Sequence, residues 1–530
     1  MRFASSSSRQ LFVCSLGFIV AAATIFTTSC GSSGNMSKSL PLTGNTSVTV
    51  VLSSTANDQL TEFDLDFQSI TLTSQSGKMA TLLSPASAAG AEFMHINGTA
   101  EPLVTASIPQ DTYTSATVSL GTGLFVCVAL GPVDGQQTLS TAFYDNNASP
   151  VAVTLPSPIT VTGNSMALSL NLLVSQSATI GDCLNVDGFN GFSIAPTFSL
   201  TPLTIVSSPT NSSNGRVAGL DGQITAMGTT GSSFTLSLPS AEGPRMLSIS
   251  SDSNTAYQGI GNFSALAVGT FVDMDGAIQG DGSLLATRIA VEDPSAADVF
   301  RGPLMEVAPS TSVVLVRARE QQGKDFPGYV GGFGSLKFGS AVFHTSGQFA
   351  NLGSLPFVPS FNASNMVPGQ EVYISIASFS VDVPYPVATT MTLMPQTING
   401  TVAASSPSGN FTDYTVSLAP YDLFPMLAVQ PGQTTVENNP GQVEVYVDNS
   451  TQMINTQPLA AGSTLRFYGL VFNDNGTLRM DCAQVNDGVA FTAQSSASQP
   501  AQVVKGDVQQ VRRKSFGEVL QTTSVIARQP

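Results

Sequence analysis

The sequence lacks tryptophan, has only two histidines and contains few charged residues. Asp, Glu, Lys and Arg make up 10% of its 530 residues, against roughly 25% in an ordinary globular chain. Because 42% of the residues are hydrophobic, the composition argues against disorder outside the ends. Acidic residues outnumber basic ones by 35 to 19, a formal net charge of −16. This balance argues against nucleic acid as a partner, which would require a cationic surface.

The scarcity of histidine and cysteine also limits the chemistry. His95 and His344 both lie in alternating, strand-like segments, 92–96 and 341–345, and no GxSxG motif accompanies either one. A Ser-His-Asp triad needs a histidine beside a nucleophile, so we predict structural or surface positions for both. The sequence contains no CxxC motif, which excludes zinc and haem sites of the usual spacing. We therefore assign no catalytic residue, metal or cofactor.

Carboxylates offer a second route to chemistry, since paired acids hydrolyse glycosides and clustered acids bind calcium. Segment 273–276 begins like an EF-hand loop, but Leu284 occupies the twelfth position and the surrounding pattern is that of a strand. Asp64 and Asp66 share one face of a predicted strand, and we expect that face to be solvated. Calcium binding at loop 187–191 stays open.

Glycine and proline are abundant, at 47 and 31 residues, and this favours short strands joined by turns. Apolar and polar residues alternate in runs from residue 47 to residue 174, for example over 47–53 and 63–73. We predict an all-β fold that begins with a β-sandwich domain over 46–206.

The second half contains a repeat. A glycine opens a short strand at Gly222, Gly302 and Gly400, and a turn glycine recurs at intervals of about 100 residues. The turn glycines are Gly269, Gly369 and Gly462. The first and third units continue with predicted hairpins at Asp281-Gly282 and Asn475-Gly476. We predict about three small repeated β-barrel-like modules, over 215–295, 296–395 and 396–490.

The N-terminus carries an export signal. Arg2 and Arg9 precede an apolar run over 11–26, small residues follow, and Cys30 comes next. We predict a signal peptide over 1–29 and a flexible tether over 30–45. The pattern resembles a bacterial lipoprotein signal, which implies lipidation of Cys30 and anchoring to the membrane. In lipoproteins of this kind, a glycine after the cysteine, here Gly31, is compatible with transport to the outer membrane, so the resemblance implies that membrane, on either its periplasmic or its surface face. Ordinary signal-peptidase cleavage stays open as the alternative.

The repeat units resemble an uncharacterised family of small β-modules, a domain of unknown function found in bacterial envelope lipoproteins. The resemblance rests on the opening strand, the step around Gly269 and the hairpin over 282–289. It implies a small barrel-like fold of five or six strands. The N-terminal unit is similar to another uncharacterised β-sandwich family that follows lipoprotein signals. Neither family implies a catalytic residue.

Export also bears on the cysteines. Apart from Cys14 in the signal and Cys30, the chain contains Cys127, Cys183 and Cys482. In an oxidising compartment two thiols of one domain favour a disulfide, so we predict one between Cys127 and Cys183. We expect Cys482 to be buried and inert in a strand.

Two segments stand apart from the β-body. Glycines flank aromatic residues in an insertion over 326–338, and we regard Tyr329 and Phe333 as a candidate binding loop. A loop capped by its own aromatics is the alternative. The tail over 491–530 is basic and is predicted to be disordered. A tail helix that contacts anionic lipid is the alternative there.

These observations favour a non-enzymatic, lipid-anchored cell-envelope protein that acts as a structural or interaction platform. A ligand-binding or adhesive surface lipoprotein is the alternative, and a carbohydrate-active hydrolase is a third hypothesis. The partners that we expect are the membrane, through the lipid anchor, and an envelope protein or a glycan. The sequence leaves the ligand and the oligomeric state open.

Overall fold

The structure is a computed structural model that describes residues 42–487 with internal gaps. The gaps are 56–59, 97–98, 131–136, 146–148, 178–193, 210–213, 230, 240–243, 318, 325–332, 350–351, 379–384, 420–423, 425–440 and 455–457. The predicted signal peptide, Cys30 and the basic tail therefore lie outside the described residues. The described residues belong to one compact unit.

The all-β prediction is confirmed. The described part of the N-terminal region contains one 11-stranded sheet, a 3-10 turn (Pro85–Ser87) and the short helix α1 (Val174–Ser177). Its strands are β1 (Asn45–Ser54), β2 (Leu60–Ser74), β3 (Met79–Leu83), β4 (Ala89–Glu92), β5 (Glu101–Pro109), β6 (Asp111–Leu130), β7 (Gln137–Asp145), β8 (Pro150–Thr154), β9 (Ile159–Val161), β10 (Ser165–Leu172) and β11 (Phe198–Leu203).

The main path of this sheet runs β3-β2-β6-β8-β11-β10-β1-β5, and β4, β7 and β9 pair with β2 or β6. The strands are thus hydrogen-bonded into one sheet. The β-sandwich over 46–206 stays a prediction. Alternate residues of the strands supply one continuous apolar core, which contains Phe63, Phe67, Phe93 and Phe198.

The first repeat unit is a closed five-stranded barrel. Its strands are β12 (Arg216–Met227), β13 (Ser233–Leu238), β14 (Arg245–Gln258), β15 (Phe271–Ile278) and β16 (Leu284–Ala290). They follow one another around the barrel in the order β12-β13-β14-β16-β15. The third and fifth strands, β14 and β16, are parallel and their hydrogen bonds close the barrel. This is a Greek-key barrel of the size and strand number of OB-folds.

The second unit has the same strand order as the first and contains two additional strands. Its strands are β17 (Asp298–Ala308), β18 (Val313–Arg317), β19 (Glu320–Gly323), β20 (Phe333–Lys337), β21 (Val342–Thr345), β22 (Glu371–Ile376) and β23 (Ala388–Leu393). The main path is β20-β18-β17-β22-β23-β21. A parallel bridge between Lys337 and Val387 stands where β14 meets β16 in the first barrel.

The third unit closes in the same way. Its strands are β24 (Gln396–Ser408), β25 (Phe411–Leu418), β26 (Gln442–Val447), β27 (Gln452–Ile454), β28 (Thr464–Asp474) and β29 (Thr477–Asp487). The path β26-β25-β24-β28-β29 is closed by the parallel pairing of β26 with β29.

The turn glycines mark equivalent positions in the three units. Gly269, Gly369 and Gly462 have φ angles of +92°, +92° and +89°. Each backbone N–H donates to a carbonyl of the first strand of its own unit, at 2.7, 2.7 and 2.8 Å. A positive φ favours glycine, so this shared geometry explains why the repeat is visible in the sequence.

Neighbouring units also share core residues. The core of the first barrel includes Val51 and Leu203 from the N-terminal sheet, and the core of the second unit includes Phe411 and Phe472 from the third. Among the described residues, no helix is long and apolar enough to cross a membrane.

Candidate functional site: a buried charged cluster between the modules

Charged side chains converge where the N-terminal sheet meets the first and second repeat units. We call this group the junction cluster, and most of its members stand at or next to strand ends. The members are Glu92, His95, Glu101, Asp221, Arg245, Arg301, Arg319, Glu320 and Glu371, and all but His95 are buried as whole residues. Ions are almost never buried unless they are paired, so the pairing within the cluster determines its properties.

His95 lies at the centre of three carboxylates. Its Nδ1 is 3.1 Å from Oε2 of Glu92 and 3.3 Å from Oε1 of Glu320, and its Nε2 is 2.5 Å from Oε1 of Glu101. Burial alone would lower the pKa of His95, but the charges of Glu320 and Glu101 outweigh it and raise the pKa to about 10. At neutral pH the ring is therefore an imidazolium with two N–H donors.

Local backbone geometry holds Glu92 in place. Its carboxylate accepts hydrogen bonds from the backbone N–H groups of Phe63, Met94 and His95, at 3.0, 2.8 and 2.9 Å. Burial opposes ionisation, but the hydrogen bond from His95 and the charge of Arg319 lower the pKa of Glu92. The turn that carries His95 is thus built around an ionised carboxylate.

Arg245 connects the first barrel to the N-terminal sheet. Its Nη2 pairs with Oε2 of Glu101, and its Nη1 donates to the carbonyl of Pro102 at 3.1 Å. Although burial raises the pKa of Glu101, the charges of Arg245 and His95 lower it further, so the net shift is downward. Glu101 therefore bridges a cation of its own region and a cation of the first barrel.

Arg301 and Arg319 form the part of the cluster that belongs to the second unit. Arg301 Nη1 pairs with Asp221 of the first barrel and donates to the carbonyl of Gly219 at 3.0 Å. Arg301 Nε lies 3.6 Å from Oε1 of Glu371, and Arg319 Nη2 pairs with Oε2 of the same carboxylate. One carboxylate thus serves two guanidinium groups.

A separate ion triad lies within the first barrel. Arg288 on β16 pairs with Asp273 at 2.5 Å and with Asp275 at 2.7 Å, both on β15. Segment 273–276 is thus strand, as the sequence predicted, and its two acids share one arginine as their partner. No group of three or more His, Cys, Asp or Glu side chains in the described part of the chain could hold a metal ion.

The sequence prediction for His95 was partly wrong. We expected a strand, but His95 lies in a turn after β4. His344 is half-buried in β21, as predicted.

Asp64 and Asp66 are 8% and 5% exposed, so the expectation that they are solvated was wrong. They are buried because β2 lies inside the sheet and both faces of this part of the strand are covered. Asp66 accepts a hydrogen bond from Thr122 at 2.7 Å.

The other predicted site residues are placed only in part. Tyr329 lies outside the described residues, whereas Phe333 begins β20 and pairs with Arg317 of β18, so the position that we assigned to a loop is strand. Cys127 lies in β6, but Cys183 and loop 187–191 lie outside the described residues, so the disulfide stays a prediction. Cys482 is a free, buried thiol on β29, and burial raises its pKa.

The junction cluster itself was not predicted. Its residues are scattered between positions 92 and 371, and no common motif links them. The available signal was their rarity, because in a sequence with so few charges an arginine within an apolar strand, such as Arg301, calls for a buried partner.

A comparison with protein families identifies one of the repeat units. Residues 221–290 match the model of DUF5666, a domain of unknown function. No curated protein shows significant similarity to the chain. The match covers most of β12 and all of β13 to β16. The first barrel therefore contains a DUF5666 domain.

Proposed function

We propose that this chain is a non-enzymatic, lipid-anchored protein of the bacterial outer membrane whose β-modules form a structural or interaction platform. The observation that carries the proposal is that buried ion pairs join the modules to one another. Arg245 with Glu101 and Arg301 with Asp221 each join two different modules through a buried ion pair. Most of the cluster's buried acids are matched to a base in this way, as expected of groups that fix modules relative to one another.

A contact from the third unit extends the same arrangement. Arg466 on β28 donates from Nη1 to the carbonyl of Thr55, at the end of β1, over a distance of 2.7 Å. The N-terminal region is thus tied by arginine side chains to the first and the third units. A platform requires such fixed geometry, because a partner that contacts two modules binds best when their spacing is already set.

The anchoring part of the proposal rests on the sequence around Cys30. Its test is membrane fractionation of cells that express Cys30→Ala, with Cys14→Ala as the matched control within the same signal. We expect Cys30→Ala to appear in the soluble fraction and Cys14→Ala to stay with the outer membrane. Sedimentation of both variants with membranes would contradict lipid anchoring.

The platform part needs a separate experiment. Cross-linking in intact cells should give discrete adducts with wild type, and Arg245→Ala should weaken them because the junction loosens. Arg479→Ala, which removes a partly exposed arginine of the third unit, should leave them unchanged. Release of product from a glycan panel by the purified protein, abolished by Glu371→Gln, would show instead that the hydrolase hypothesis is correct.

A further inference from the structure

A cavity of about 420 Å³ lies between the N-terminal sheet and the first barrel. This volume falls within the range of small-molecule sites, roughly 300–1,000 Å³. The sheet contributes the start of β10, the end of β11 and the segment that follows β11. The barrel contributes the end of β15 and the turn before β16. The cavity is therefore a space between two modules.

Much of the cavity's lining is apolar. Its buried part comes from Ala167, Leu203 and Ile278, which belong to the core that the sheet shares with the first barrel. Met166 is half-buried and Val206 is 40% exposed, so apolar surface continues from this core to the outside. Replacing water with an apolar chain along such a surface is favourable.

The polar part of the lining is uncharged. Its side chains are those of Ser165, Ser207 and Gln279, and no Asp, Glu, Lys, Arg or His lines the cavity in the described part of the chain. Hydroxyl and amide groups both donate and accept hydrogen bonds. An ion among them would lose hydration without gaining a counter-ion. The lining therefore favours an uncharged molecule, in contrast to the junction cluster.

The cavity lies beside the place where the N-terminal segment enters the sheet. The backbone N–H of Ser47 donates to the carbonyl of Asn164 at 2.9 Å, and the next residue, Ser165, lines the cavity. Twelve positions separate Cys30 from Leu42, which span at most about 40 Å. With Cys30 lipidated, as proposed above, this side of the molecule stays within reach of membrane lipids.

We propose that this cavity binds an uncharged single-chain lipid, such as a fatty alcohol or a monoacylglycerol. The alkyl chain contacts the buried apolar part of the lining, and the hydroxyl head group hydrogen-bonds to Ser165, Ser207 or Gln279. The proposal goes beyond the platform function, which does not require a ligand. Only the membrane as the source of the lipid rests on the proposed anchor.

The test is isothermal titration at pH 7 with 1-octanol, octanoate and octylamine, which share one alkyl chain and differ in the charge of the head group. The protein is the mature chain, residues 30–530, made without its signal so that no lipid of its own competes. The result is therefore independent of the anchoring proposal. We expect saturable 1:1 binding of 1-octanol, and binding of the two ions at least about tenfold weaker. Failure of 1-octanol to bind at millimolar concentration, or equal affinity for all three probes, would overturn the proposal.

Two neighbouring serines test the location of the site. Ser207 and Ser208 are both exposed, but only Ser207 lines the cavity. Ser207→Trp should fill the cavity and abolish binding of 1-octanol, whereas Ser208→Trp, the matched control, should retain it. The chain has no other tryptophan, so emission at shorter wavelength from Ser207→Trp verifies that the indole fills the cavity. Equal affinity of the two variants would place any binding elsewhere and overturn the proposal.

Val206 provides an independent check of the charge preference. Val206→Asp supplies the counter-ion that the lining lacks, so the affinity for octylamine should rise relative to that for 1-octanol. Val206→Asn, of nearly equal size, should keep the preference for 1-octanol. An unchanged preference in Val206→Asp would show that the head group does not lie at this wall and would overturn the proposal.

Discussion

Arg245 at the start of β14 and Glu101 at the start of β5 form a buried ion pair across 144 positions of sequence. The pair joins two modules that have separate strand orders. Because both side chains are about 95% buried, neither ion has water as a substitute partner. The relationship makes the stability of each module depend on the other.

Arg245→Met should therefore be strongly destabilising. Removing one ion of a buried pair costs about 3–5 kcal/mol, because the other ion stays buried without its partner. Arg479→Met is the matched control, since Arg479 is 23% exposed in its pairs with Glu444 and Asp474 and should cost about 1 kcal/mol or less. Urea unfolding at pH 7 measures both, and equal costs would contradict the assignment.

The His95 cluster should make stability depend on alkaline pH. The pKa of His95 is about 10 in the folded protein, above its ordinary value of 6.5. A raised pKa means that its contribution is fully present below about pH 6.5 and is lost as the pH rises through 10. That contribution is on the order of 5 kcal/mol.

The measurement is the difference in unfolding free energy between wild type and His95→Gln from pH 7 to pH 10.5. We expect His95→Gln to be destabilised at pH 7 and the difference to shrink toward pH 10.5. A difference that does not change with pH would show that the imidazolium charge is not what holds the three carboxylates together.

Glu292→Gln should stabilise the protein above neutral pH. Burial, followed by the nearby charge of Asp273, raises the pKa of Glu292 from 4.5 to about 7. The ionised carboxylate is thus disfavoured in the folded state, and stability falls as the pH rises from 4.5 to 7. At pH 8 we expect Glu292→Gln to gain about 1–2 kcal/mol, allowing for partial solvent screening. At pH 4 it should gain little, and a gain equal at both pH values would rule out this explanation.

The three turn glycines permit a matched comparison. A Cβ at Gly269 or Gly462 would meet no atom within 4 Å, whereas at Gly369 it would lie 2.9 Å from the Phe424 ring. Gly269→Ala and Gly462→Ala should therefore cost only backbone strain, about 1–2 kcal/mol. Gly369→Ala should cost more, because Phe424 must move as well. Thermal unfolding of the three variants checks this order, and equal costs would contradict it.

The sequence predicted the repeats because their signals are local. Gly269, Gly369 and Gly462 each need a positive φ, and Asn475-Gly476 forms a tight turn with φ angles of 52° and 93°. Such requirements are visible in a few adjacent residues. The alternation of apolar residues likewise revealed the strands.

The junction cluster could not be predicted in this way. Glu101, Arg245 and Glu320 carry no local signal, and only the tertiary packing of three modules brings them to His95 or to one another. The assignment of Asp64 and Asp66 to a solvated face failed for a related reason. Alternation identifies two faces of a strand, but it does not show whether neighbouring elements cover both.

The closure of the barrels also bears on the order in which the chain can fold. The first barrel closes through pairing of β14 with β16, its last strand, so its ring stays incomplete until the C-terminal end of the module is in place. Glu101 precedes Arg245 by 144 positions, and it has no partner from the first barrel until that barrel has formed. The N-terminal sheet should therefore reach its final stability only after the next module has folded.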